Sequence, residues 1–157
     1  MTATVYIETS VIGYLTMRLS HDLVTAAAQA ITRDWWETRR PAFDLVASEI
    51  VREEIAAGDP SAAKARLQIL GGLRLLDVTE AAGLLAERLL SEGPLPPKAQ
   101  YDALHIAVAA IHGIDYLLTW NCKHIANAAM RSAIERLCRL AGYEPPIMCT
   151  PQELLDD

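Results

Sequence analysis

Phenylalanine occurs once in the 157 residues; the apolar half of the chain is rich in Ala and Leu, a mix that suits a helix-rich globular protein. Cysteine is also scarce. Cys122, Cys138 and Cys149 match neither a disulfide framework nor paired zinc spacing, so free thiols in a reducing cytoplasm are expected. Long hydrophobic runs are missing: the longest, such as "IAVAAI", fall far short of the roughly 20 residues of a membrane span. The first residues lack a basic segment followed by an apolar one, so no secretory leader and no membrane anchor are expected. Positive charge is in deficit, with 14 Lys and Arg against 20 Asp and Glu and a net charge of −6. That balance argues against a broad basic nucleic-acid face. It leaves room for a narrow acidic site in which a cation meets phosphate. Repeats and low-complexity tracts are absent, and "SEGPLPPK" is too short to link domains. A single domain over residues 1–157 is expected, large enough to bury about two-thirds of its unfolded surface.

What is present is an alternation of short β-rich and longer helical stretches. "TVYIE" leads to a helix over residues 23–37, with Leu23, Ala27, Ala30, Ile31 and Trp35 at helical spacing. "FDLVA" precedes helices near 49–57 and 61–70. "LRLLDV" precedes "TEAAGLLAERLL", which Thr79 can cap. The helix after "LPPK" stops at Gly113. "DYLLT" precedes a helix near 124–140 that Gly142 closes, and "PIMC" and "PQELL" end the chain. This pattern predicts an α/β fold, a three-layer α/β/α sandwich around a mostly parallel sheet. In such folds ligands gather beyond the carboxyl ends of the strands, where Glu8 and Asn121 fall.

Three acids occupy costly places. On the helix "SEIVREEIAAG", Ala47, Ile50, Val51 and Ile55 form an apolar stripe with Glu54 in its middle; Glu49 and Glu53 project from the other side. An unpaired carboxylate there costs several kcal/mol, so Glu54 needs a cation, hydrogen bonds or a proton. Asp102 opens "DALHIAVAAI", a helix apolar nearly all round and therefore central. Taken singly, each acid has a plainer role: Glu8 in a helix start or turn with Thr9 and Ser10, Glu54 in a buried polar bond or a salt bridge, Asp102 as an N-cap or a partner of His105. Together they point to an acidic site that a hard divalent ion, Mg²⁺ or Mn²⁺, neutralises. Asn121 offers an amide oxygen. His105 and His112 read as hydrogen-bonded helix histidines, and Cys122 with His124 lacks the partners of a zinc site. Trp35 and Trp36 read as core or as a homodimer patch, with one of the two partly exposed.

The segments "YIETSVI", "ASEIVREEIAAG", "DALHIAVA" and "LLTWNCKHIAN", in this order, resemble the PIN-domain family, in particular the VapC-like toxins of toxin–antitoxin pairs. The resemblance implies a metal-dependent ribonuclease. By position, Glu8, Glu54 and Asp102 match its catalytic, metal-binding acids, and Asn121 stands where a fourth acid would. Thr9, Ser10 and Thr119 match supporting hydroxyls. Two departures stand out: Glu8 replaces the more usual Asp, and Asn121 carries no charge. The expected partners are an RNA substrate and an antitoxin protein that blocks the acidic pocket with a basic side chain. The alternative is a catalytically degenerate PIN-like module that binds RNA or protein without cleaving it.

Overall fold

The computed structural model describes residues 2–155; residues 1, 156 and 157, the ends of the expected single domain, lie outside the described residues. Strands β1 (Thr4–Ile7), β2 (Asp44–Ser48), β3 (Arg74–Leu76), β4 (Tyr116–Leu118) and β5 (Ile147–Cys149) form one sheet in the order β3-β2-β1-β4-β5. Every pairing is parallel, so the sheet is wholly rather than mostly parallel. Among the described residues seven α-helices connect the strands: α1 (Thr9–Thr16), α2 (Leu23–Thr38), α3 (Glu49–Ala56), α4 (Pro60–Leu70), α5 (Glu80–Ser91), α6 (Gln100–Ile111) and α7 (Ala128–Leu140). The chain steps from β1 to β2 to β3 in one direction, then returns across the sheet to β4 and β5. Right-handed crossovers therefore place α1–α4 on one face and α5–α7 on the other. Accordingly α1 packs against α2, α3 and α4, and α5 against α6 and α7. Among the described residues no helix is long and apolar enough to cross a membrane.

Local chemistry explains most element boundaries. Thr79 caps α5 through a bond from the Ala82 amide. Gly113 and Gly142 take left-handed φ values of 67° and 95° just past α6 and α7, which lets each helix close with paired backbone bonds. At α6 these run from Ile114 N to Ala109 O and from Gly113 N to Ala110 O. Trp35 is fully buried and stacked on Phe43, whereas Trp36 is half-buried beneath the Arg40 guanidinium. The pair thus divides between core and surface.

Two elements differ from the sequence expectation. At α1 only a helix start or turn around Glu8 is expected, yet the helix runs eight residues, includes Gly13 and takes that acid as its cap. Helix α7 begins at Ala128, not near His124. The intervening residues fold back on Asn121, whose backbone oxygen accepts from the amides of Ile125 and Ala126. Asn127 then caps α7 through the Ala129 amide.

Candidate active site

The strand order sets where a site can form. From β1 the chain leaves toward β2 on one side, while β4 lies on the other, so a crevice opens beyond the carboxyl ends of β1 and β4. Ile7 pairs with Leu118 at that edge, and the next residues, Glu8 and Thr119, step into the crevice.

Glu8 is only 4% exposed. Its Oε1 accepts from the Ser10 amide at 3.2 Å, the Ser10 hydroxyl at 2.5 Å and the Thr119 hydroxyl at 2.6 Å. The first of these bonds makes Glu8 the N-cap of α1, so the helix-start role and the acidic-site role belong to one side chain. The supporting hydroxyls are themselves held: Ser10 Oγ accepts from Trp120 N at 2.8 Å and Thr119 Oγ1 from Asn121 N at 2.9 Å. Three donors on one oxygen offset much of the cost of burying the charge.

Glu54 reaches the crevice from α3. It is half-buried while its neighbour Glu53 is exposed, as the helical stripe requires. Its Oε1 accepts from the Thr9 hydroxyl at 2.6 Å and meets His105 Nε2 at 2.5 Å. Burial alone would raise its pKa, but the hydrogen bond and charge of His105 and the Thr9 bond outweigh it and hold the carboxyl below its ordinary range. His105 is fully buried; its Nδ1 lies 2.7 Å from the Tyr6 hydroxyl, which lies 2.6 Å from Ser48 Oγ. Burial drives the Tyr6 phenol far above its usual pKa against the Ser48 bond, with the charges of Glu8 and Glu54 adding to the rise. Tyr6 therefore stays protonated.

Donor atoms of Glu8, Glu54 and His105 all lie within 4.8 Å of one another. Among the described residues, no donor bonds Oε2 of Glu8 or of Glu54, and neither acid carries an ion pair to lysine or arginine. Carboxylates that each keep one oxygen clear of protein donors suit an oxygen-preferring divalent ion. Sequence reasoning had His105 only as a hydrogen-bonded histidine. The available signal was a polar residue inside a helix apolar on all sides.

Asp102 does not join that mutually close set. It sits in the first turn of α6, whose N-cap is Ala99, and does not pair with His105. Its Oδ2 instead meets His124 Nδ1 at 2.8 Å. Asn121 Oδ1 accepts the His124 amide at 3.0 Å, so Asn121 shapes the turn that presents His124 to Asp102.

Residues 5–128 match the PIN domain family. The chain belongs to that family. Among curated proteins no sequence matches it. Two solved structures show the same PIN-like fold. One is a chain of VapBC2 from Rickettsia felis, bound to a DNA fragment from its promoter, with TM-score 0.59 and 12% identity, covering 94% of this chain and 98% of that one. The other is Mycobacterium tuberculosis VapC20, a sarcin-ricin loop cleaving toxin, with TM-score 0.58 and 19% identity, covering 90% of this chain and 99% of that one. Within a PIN domain, the β1/β4 crevice with Glu8 and Glu54 is the natural candidate for the working site.

Proposed function

We propose that this PIN domain is a Mg²⁺- or Mn²⁺-dependent endoribonuclease and the toxin half of a type II toxin–antitoxin pair. The observation that carries the reading is the closeness of Glu8 and Glu54 at the β1/β4 crevice, each with one carboxylate oxygen bonded and the other without a protein donor. Glu8 and Glu54 would hold the ion, with Asp102 completing the acidic set. A bound ion supplies Lewis-acid polarisation of the phosphodiester and lowers the pKa of the attacking water. Thr9, Ser10 and Thr119 keep the two glutamates in place. Glu54, or Asp102 aligned by His124, would accept the water's proton. The likeness to VapC20 and VapBC2 supports an RNA substrate and an antitoxin partner whose basic side chain would enter the crevice.

Cleavage of RNA by the purified chain should require Mg²⁺ or Mn²⁺ and disappear in Asp102→Asn with the circular dichroism spectrum unchanged. Full activity in that variant would refute the assignment. Expression of the chain alone should arrest growth, and expression of Glu8→Gln should not. The alternative, a PIN domain that binds without cleaving, draws on Asn121: it brings no charge, and its side-chain oxygen accepts a turn amide. Mn²⁺ binding lost in Glu8→Gln, together with RNA cleavage, excludes that alternative.

A further inference from the structure

His105 lies close enough to Glu8 and Glu54 to be counted as a third metal ligand, yet its bonding points elsewhere. His105 Nε2 lies 2.5 Å from Glu54 Oε1, so the position at which that nitrogen would meet a cation is taken by the carboxylate oxygen. The other ring nitrogen meets Tyr6 OH, and Tyr6 OH meets Ser48 Oγ. All three residues behind Glu54 are fully buried. Ser48 is the N-cap residue of α3, but its hydroxyl makes no capping bond. It is turned toward Tyr6 instead, away from the role serine usually fills at that position.

We propose that His105 is a positioning residue and not a metal ligand: backed by Tyr6 and Ser48, it pins Glu54 Oε1 and so leaves Oε2 for the cation. The relay joins β1, the start of α3 and α6, tying the two helical layers together behind the site. The proposal rests on the metal-site reading above, and its test separates the two.

The test is Mn²⁺ titration, followed by electron paramagnetic resonance, of the wild type, Tyr6→Phe and Ser48→Ala. Pulsed measurements on the bound ion would look for coupling to imidazole nitrogen. Expected are a wild-type complex without directly coordinated nitrogen and about tenfold weaker Mn²⁺ binding in Tyr6→Phe, the usual cost of losing an outer-shell partner. Ser48→Ala, a smaller change that keeps the fold if Tyr6→Phe does not, should weaken binding in the same direction. Nitrogen coordination in the wild type, or unchanged affinity in the variants, overturns the proposal while the metal site stands. Failure of the wild type to bind Mn²⁺ overturns the metal-site reading, and the proposal falls with it.

Discussion

Thr119 links the two sides of the site. It is fully buried, donates to Glu8 and accepts from the Asn121 amide. Thr119→Val keeps the shape but removes one of three donors from a buried carboxylate and strands a backbone N–H. A loss of about 1–3 kcal/mol in urea unfolding is expected, with weaker Mn²⁺ binding. Glu54 makes a second prediction, through pH. Its folded pKa lies below the ordinary glutamate value, so its favourable contribution is complete above that ordinary value and is lost as pH falls through the folded value. Relative to Glu54→Gln, the wild type should gain stability as acid is withdrawn, with the gain levelling off above about pH 5. Unfolding free energies of both proteins between pH 2.5 and pH 6, on the order of the window that linkage sets, check the slope. A gap that ignores pH would mean Glu54 is not held by its donors.

Among the elements, the return from α5 toward α6 is tightly packed. At Gly93, just past α5, an added Cβ would stand 2.6 Å from the Leu89 carbonyl oxygen and 2.9 Å from Leu137 Cδ1 of α7. The leucine tip can shift, but the carbonyl belongs to the last turn of α5. Gly93→Ala should therefore cost about 1–3 kcal/mol, as overpacking does, and lower the urea midpoint. The site's helices are coupled in another way: α3 and α6 meet through Glu54 and His105, and α1 starts on Glu8. Movement of any of these helices changes the spacing of the acids.

At the scale of the whole molecule, binding of the proposed cation would be coupled to stability. A ligand bound only by the folded state stabilises it by about 2.7 kcal/mol at 100 times its dissociation constant. For a chain of this size, that should raise the melting temperature by roughly 5–10 °C. Calorimetry with and without Mn²⁺ reads the shift, and Glu8→Gln should abolish it. An equal rise in that variant would place the ion elsewhere. The net charge of −6 makes long-range attraction of the proposed RNA substrate unfavourable, so on that reading recognition would be concentrated at the crevice.

The amino-acid sequence by itself determined those features that neighbouring residues control. Helical and strand periods marked nearly every element; Thr79, Gly113 and Gly142 marked helix ends; and the stripe on α3 separated Glu54 from Glu53. These rest on hydrogen bonds and burial patterns spanning a few positions. The extent of helix α1, beyond a start or turn at Glu8, escaped because Gly13 and a glutamate cap blurred its signal. The start of α7 escaped because a side chain of Asn121 redirects the turn. Strand order, and with it the crevice between β1 and β4, was decided only by tertiary pairing of segments more than a hundred residues apart. The same holds for the line from Ser48 through Tyr6 and His105 to Glu54, and for the choice of His124 as Asp102's partner. No spacing along the chain encodes such meetings; they arise when buried polar groups must find one another as the layers close.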